Sequence, residues 1–297
     1  MKTLSHFILI IGMMMPSICT YAQLNPMGSM YFQNPYLMNP ANAGLDGGWN
    51  MAAAYKAQWT SIEGAPSIQA ITGDYGDMDK HIGVGINFYN ERAGVINRTN
   101  LKATFAYHLF LNKDQTSALD FGLSGGILNE WIDLNRIKGN LEDQSLLNFN
   151  NRKLYLDTDF GIALRSSAFT IQGTLPNLKH LFNRDLNRTI IDRILFISAI
   201  GYKLKFNTAI LDEIEPKVVY RGVTNFKDIL DLGARASFYE NKLDFNVMYH
   251  STGSLTFGVG TLFKERLSLL ALYTSNTNDL QSYSNGEFEI ALRYHFK

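Results

Sequence analysis

The sequence is poor in cysteine, proline and net charge, and each shortage excludes a class of protein. It holds one cysteine, Cys19, and 7 prolines among 297 residues. A lone cysteine forms no intramolecular disulfide, so a disulfide-stapled secreted scaffold is excluded. The 27 basic residues balance the 27 acidic ones, and no basic stretch indicates a nucleic-acid surface. We therefore expect no nucleic-acid partner.

Long apolar runs are also missing, which excludes a transmembrane helix. The apolar run FILIIGMMM at 7–15 is too short to span a bilayer, and it lies between Lys2 and a small-x-small site that ends at Ala22. This pattern predicts a secretory signal peptide cleaved after Ala22, with a buried N-terminal helix as the alternative. Cys19 follows Pro-Ser-Ile at 16–18, a poor lipobox, so we predict cleavage without lipidation.

The chain is rich in aromatic residues and in alternating segments. It has 19 Phe and 15 Tyr, and fourteen candidate strands lie between residues 48 and 297. In HIGVGINFYN at 81–90 and FEIALRYHF at 288–296, apolar residues occupy alternate positions. The other positions carry small residues and charges of both signs, which suits the confined lumen of a barrel. We predict an all-β fold, a transmembrane antiparallel β-barrel of about 14 strands; a soluble β-sandwich also alternates and is the alternative.

The connections between the candidate strands fall into two length classes that alternate along the chain. Bacterial outer-membrane barrels have short periplasmic turns and longer outer loops, whereas a sandwich has no reason to sort its loops in this way. The connection 207–215 is longer than its side should allow. The short turns are 76–80, 111–117, 166–167, 239–242 and 264–266, and the long connections are 129–151, 176–192 and 275–286.

The segment 23–47 lies outside the alternating region. It contains Asn-Pro pairs at 34–35 and 39–40, which favour turns and remove ladder donors, so it cannot be a central strand. Its aromatic residues make it too apolar to lie free in water, and we expect it to pack within or across the periplasmic mouth of the barrel. The predicted organisation is a signal peptide at 1–22, this segment, and a barrel at 48–297.

The sequence gives only weak evidence for catalytic or metal-binding residues. The G-x-S-x-G match at 122–126 lies in a candidate strand with no helix after it, whereas a nucleophile elbow needs a strand-to-helix turn. A hydrolase that uses Ser124 is therefore only an alternative. The 6 histidines are scattered without ligand spacing, so we predict no catalytic residue, no metal site and no cofactor.

Asp120, Asp157 and Asp159 could form an acidic patch in the lumen, because carboxylates at i and i+2 share a face of a strand. We expect these charges to be neutralised by basic residues, as interior charges in barrels usually are. The candidate partners are Lys102, Arg165 and Lys203.

Two blocks carry a family resemblance: YFQNPYLMNPANAG at 31–44 and KAQWTSIEGAPSIQ at 56–69. They resemble the motifs of the PorP/SprF family of Bacteroidetes outer-membrane proteins, and GVGINFYNERAG at 83–94 resembles the strand and turn that follow. Lys56 stands where the family usually has arginine, which keeps the charge and loses the planar five-donor fork. Trp59 is either an interfacial belt residue or part of a structural or partner motif.

The resemblance implies a non-enzymatic barrel of the cell outer membrane, surrounded by lipid, that serves type IX secretion and gliding motility. It implies PorK/PorN ring components as periplasmic partners, and support for the export or surface attachment of adhesins and other proteins with type B C-terminal domains. A passive channel for small or hydrophobic solutes is the alternative. The motif residues to which it assigns a structural or partner role are Asn34, Pro35, Asn39, Pro40, Gly44, Lys56, Gln58, Trp59, Gly64 and Pro66.

Overall fold

A computed structural model describes residues 28–137, 149–150, 154–178, 194–206, 208–223, 227–275 and 285–296. The predicted signal peptide at 1–22 lies outside the described residues. All strands belong to one antiparallel sheet. Their bounds are β1 Gly48–Gln58, β2 Ser67–Asp77, β3 Ile82–Ala93, β4 Ile96–Phe110, β5 Ala118–Ile132, β6 Tyr155–Arg165, β7 Phe169–Leu175, β8 Ile194–Tyr202, β9 Leu204–Lys205, β10 Leu211–Val223, β11 Ile229–Phe238, β12 Leu243–His250, β13 Ser254–Phe263, β14 Leu267–Thr274 and β15 Glu287–Phe296.

The sheet closes on itself into a barrel. The strand β1 pairs with β2 on one side and with β15 on the other, and the last register runs from Trp49 opposite Phe296 to Gln58 opposite Glu287. The short β9 pairs with β10, which also pairs with β8 and β11. The predicted 14-strand antiparallel barrel is therefore confirmed, with β9 as one additional strand, and the sandwich alternative is wrong.

The outer face of the barrel is apolar and the inner face is polar. On β15, Phe288 and Ile290 are 48% and 61% exposed, whereas Glu287 and Glu289, which alternate with them, are each 1% exposed. A soluble protein usually has the reverse arrangement, with polar side chains outside and apolar ones inside. The exposed apolar face therefore fits a wall that contacts the hydrocarbon of a membrane. Phe296 lies eight positions beyond Phe288 on β15, and eight steps span about 20 Å along the barrel axis at a rise of about 3.3 Å per residue and a strand tilt of about 40°. Among the described residues no helix is long and apolar enough to cross a membrane.

The two ends of the barrel differ in their connections. The end at which β1 begins and β15 finishes also carries the turns 78–81, 239–242 and 264–266; we call it the short-turn end. At the opposite, long-loop end β5 finishes and β6 begins, and β14 finishes and β15 begins. The prediction of a long connection at 207–215 is wrong, because β10 already begins at Leu211.

Candidate functional site

Residues 28–47 lie inside the barrel, and we call them the plug. They form a 3₁₀ turn at Gly28–Tyr31, a short helix α1 at Pro35–Met38 and a second 3₁₀ turn at Pro40–Asn42. The plug contains no strand, as its Asn-Pro pairs predict. It ends at the short-turn end, yet Met30 packs deep in the lumen against Ile68 and Leu270. The plug therefore reaches well beyond the mouth at which the sequence placed it.

Each Asn of the two Asn-Pro pairs caps a helical turn and also anchors it to the wall. The side-chain oxygen of Asn34 accepts from the Leu37 amide at 3.2 Å, while its Nδ2 donates to Thr72 Oγ1 at 2.9 Å. The proline that follows takes the first helical position, where a missing N–H costs nothing. An Asp or Ser can cap in this way, but neither has an amide donor for the wall.

Asn39 repeats this arrangement on the opposite wall. Its Oδ1 accepts from the Ala41 amide at 2.9 Å, and its Nδ2 donates to the Ile162 carbonyl and to Gln172 Oε1, each at 3.2 Å. Asn42 Nδ2 donates to the same Gln172 oxygen at 2.9 Å. The Asn-Pro repeat thus fixes two neighbouring turns of the plug to strands on different sides of the lumen.

Glycines of the wall make room for the plug backbone. A Cβ on Gly122 would lie 2.2 Å from the Ala41 nitrogen, and one on Gly83 would lie 2.0 Å from the Ala43 oxygen. Gly44 has φ +75°, and a Cβ there would lie 2.7 Å from the Tyr75 carbonyl. The small residues of the inner face therefore follow the path of the plug. The first glycine of the G-x-S-x-G match belongs to this path.

Ser124 lies in a buried hydroxyl chain. Its Oγ is 2.7 Å from Thr104 Oγ1, which accepts from the Tyr36 hydroxyl at 2.8 Å. Burial raises the pKa of the Tyr36 phenol, so the phenol stays protonated and can donate. The hydroxyl chain ties the plug to β4 and β5, and β5 continues through Ser124 without the turn that a nucleophile elbow requires.

A histidine on β4 contacts the plug on one side of its ring and a buried carboxylate of the wall on the other. His108 Nδ1 lies 2.8 Å from Asp120 Oδ1, and His108 Nε2 lies 3.1 Å from the Ala43 carbonyl. Arg165 Nε donates to the other oxygen of Asp120 at 2.8 Å. The carboxylate and the carbonyl both accept hydrogen bonds, so the His108 ring lies between an acceptor of the wall and an acceptor of the plug. The His108 ring thus links the Ala43 carbonyl of the plug to Asp120 of the wall.

The other predicted acidic residues are also neutralised. Lys102 Nζ lies 2.8 Å from an Asp157 oxygen and 2.6 Å from an Asp159 oxygen. The expected pairing is confirmed for Lys102 and Arg165, whereas Lys203 forms none of the ion pairs of the described residues. The acidic patch is a set of paired lumen charges rather than a free one.

Three basic residues that sequence reasoning missed also hold the plug. Lys217 Nζ donates to the Tyr31 carbonyl at 3.0 Å, and Arg293 donates to the Gln33 carbonyl at 3.3 Å and to Asp46. The third, Arg221, is 1% exposed and pairs with Asp231, which accepts from the Tyr31 hydroxyl. Their inward positions follow from strand alternation, but their plug partners could not be read from the sequence.

The second predicted motif lies where the barrel closes. Lys56 is fully buried, and its Nζ lies 2.7 Å from Glu287 and 3.2 Å from Glu289. Gln58 Nε2 donates to the same Glu287 at 2.8 Å. One ammonium therefore bridges two carboxylates of the last strand. The compact charge of a lysine is suited to this role, which does not need the planar, bidentate fork of an arginine. These residues form the closing seam of β1 and β15.

The loop after the seam is folded back onto it at the long-loop end. The Trp59 amide donates to the Gly286 carbonyl at 2.9 Å, and the Gln58 amide donates to the Pro66 carbonyl at 3.0 Å. Gly64 has φ +79°, and its carbonyl accepts from the Gly94 amide at 2.9 Å. The ten predicted residues thus lie in two separate groups, five in the plug and five at the seam.

No group of three or more His, Cys, Asp or Glu side chains within the described part of the chain is placed to hold a metal ion. Two cavities flank the plug, with volumes of about 500 and 320 Å³. The larger lies between the plug and the wall of β10 to β15, and the smaller is lined by Tyr31 and Tyr36 of the plug and by wall residues that include Gln172 and Lys217.

The family model described as "Type IX secretion system membrane protein PorP/SprF" matches residues 20–294. Among solved structures, the toluene transporter TbuX of Ralstonia pickettii is similar with a TM-score of 0.51 and 10% identity, over 92% of this chain and 95% of that one. Omp33 of Acinetobacter baumannii has a TM-score of 0.49 and 6% identity, over 84% and 98%. No curated protein matches.

Proposed function

Because the chain belongs to the PorP/SprF family of type IX secretion system membrane proteins, we propose that it supports the export or surface attachment of adhesins and other proteins with type B C-terminal domains. It does so as a non-catalytic barrel of the outer membrane, in a cell whose gliding depends on those adhesins. Its periplasmic partners in this proposal are PorK/PorN ring components.

The occupied lumen is the observation that carries this proposal. The plug is fixed to β2, β4, β6, β7 and β15 by side-chain hydrogen bonds. The charged residues of the closing seam, Lys56, Glu287 and Glu289, are also buried. A polypeptide in transit has no path through such a lumen while the plug is docked. This favours a scaffold that holds partners at the membrane over a conduit for the secreted chain.

The experiment is a gene deletion with complementation. A fluorescent reporter is fused to a type B C-terminal domain, and its surface exposure is scored by protease accessibility on intact cells, together with spreading of the colony on agar. We expect the deletion to abolish both, and the intact gene to restore both. The same reporter without the domain is the control. Wild-type surface exposure and spreading in the deletion strain would contradict the proposal.

The cavities beside the plug favour a second candidate, a passive channel for small solutes. A channel of this kind requires an undocked plug, and undocking can be measured with a plug reporter, Ala43→Cys. Ala43 is fully buried, whereas Ile62 on the long-loop side is 43% exposed. If the barrel is a channel, a maleimide labels Ala43→Cys as fast as the control Ile62→Cys; slow labelling with no uptake by proteoliposomes rejects it.

A further inference from the structure

The outer face of β2 to β5 changes from apolar to polar before these strands reach the long-loop end. The last apolar residues of this face on β4 and β5 are Leu101 and Ile127, and both are exposed. Residues two positions apart share a face of a strand, so the pairing registers define two further outward rows, which we call the outer patch. The first row is Gln69, Asn90, Thr99 and Asn129, and the second row is Ser67, Arg92, Asn97 and Trp131.

This polar extension is absent from the outer face of β11 to β15. There an exposed apolar or aromatic side chain lies one position from the end of each strand at the long-loop end. The strands also differ in length, with 15 residues in each of β4 and β5 and 8 in each of β12 and β14. The wall at β4 and β5 therefore continues past the apolar belt, whereas at β11 to β15 it ends with the belt. The five side chains are Leu230, Tyr249, Leu255, Tyr273 and Phe288.

The charge of the outer patch favours an anion. Arg92 is the one charged residue of its two rows, and it belongs to no ion pair in the part of the chain that the structure describes. The carboxylates of Glu91 and Glu130 lie on the inner face instead, where Arg98 pairs with them at 3.2 and 3.0 Å. The guanidinium of Arg92 is therefore available to a ligand outside the barrel, and the patch holds no carboxylate that would repel an anionic one.

We propose that the outer patch binds the phosphorylated headgroup of a glycolipid in the outer leaflet. Bacterial barrels keep their longer loops outside, which places the patch level with the headgroups of that leaflet. In such a lipid the acyl chains, the amides and hydroxyls of a sugar, and a phosphate follow one another outward. The wall offers an apolar row, an amide and hydroxyl row, and a row with a cation, in the same order.

The spacing of the rows suits this ligand. Successive rows lie about 5 Å apart along the barrel axis, from a rise of about 3.3 Å per residue and a strand tilt of about 40°, which is about the size of a sugar ring. Arg92 can donate two parallel hydrogen bonds to a phosphate. Trp131, at the end of the same row, is exposed and adds the flat, amphipathic ring that is typical of a membrane interface.

The test is the binding of bis-phosphorylated lipid A to the folded barrel in detergent, measured by native mass spectrometry. We expect Arg92→Gln to weaken binding at least about tenfold, the loss that a hydrogen bond to a charged group represents, and Arg92→Lys to lose less because it keeps the cation. The matched control is Lys264→Gln, which removes a cation exposed in a turn of the short-turn end. Equal affinities of the Arg92→Gln and Lys264→Gln barrels would overturn the proposal.

A change of ligand separates a lipid site from a site for any phosphate. Dephosphorylated lipid A should bind the wild-type barrel at least about tenfold more weakly than lipid A does, and an equal concentration of inorganic phosphate should not displace lipid A. The double variant Thr99→Val and Asn129→Leu makes the first polar row apolar and should also weaken binding, while it keeps the heat-modifiable mobility of a folded barrel. Displacement by inorganic phosphate, or equal binding of the dephosphorylated lipid, would contradict the proposal and leave the proposed function standing.

Discussion

Lys56 offers the sharpest energetic prediction, because one buried ammonium compensates two buried carboxylates. The variant Lys56→Met keeps a side chain of similar length and removes the charge. Glu287 and Glu289, each 1% exposed, are then left without their cation. Removing one partner of a buried ion pair costs about 3–5 kcal/mol, and the presence of a second carboxylate places this variant toward the upper end of that range.

The assay is equilibrium unfolding in urea of the barrel in lipid vesicles, followed by tryptophan fluorescence and by heat-modifiable mobility. Linear extrapolation gives the free energy of unfolding of each variant. The matched control is Lys242→Met, which breaks the exposed pair of Lys242 with Glu240 and should have little effect. Adding Glu289→Gln to Lys56→Met should recover part of the loss, since a neutral amide needs no cation. A Lys56→Met barrel as stable as the Lys242→Met barrel would refute the reasoning.

Three further predictions concern the plug and use maleimide labelling of the plug reporter. Gly122→Ala should raise the labelling rate at least about tenfold, because its Cβ would overlap the plug backbone, whereas Gly125→Ala, with open space around its Cβ, should not change it. Asn39→Asp keeps the cap and places a carboxylate against two acceptors, so it should also speed labelling, and Asn39→Ser should do so less. His108→Gln removes the ring that joins the Ala43 carbonyl of the plug to Asp120 and should speed labelling more than His250→Gln, because His250 Nε2 contacts Thr256 of the wall and not the plug. Equal labelling rates within any of these three pairs of variants would contradict the contact that the pair tests.

The sequence predicts the barrel well because membrane strands obey a local rule. Apolar residues at alternate positions, as in β15, fix which face meets lipid, and the order of long and short connections fixes the ends. The error at 207–215 has a local cause. The run DEIEP places Glu213 and Glu215 on the inner face of β10, but its charges and proline resemble a loop. Polar residues that face a lumen and polar residues of a turn look alike in sequence.

The contacts of the site could not be predicted, because they join residues distant in sequence. Asn39 is recognisable as the start of a turn, but its partner Gln172 is 133 residues away. Lys56 meets Glu289 only because closure sets β1 against β15 in one register. The glycines of the inner face indicated a confined space, without showing that a plug fills it.

Single-channel recording in planar bilayers tests the central claim, a barrel whose lumen is filled by its own N-terminal segment, most directly. The intact protein should insert and show no stable conductance steps. A variant that lacks residues 28–46 should show steps, since it loses the plug and keeps the wall. Steps of equal size and frequency from the intact protein and the deletion variant would contradict the account.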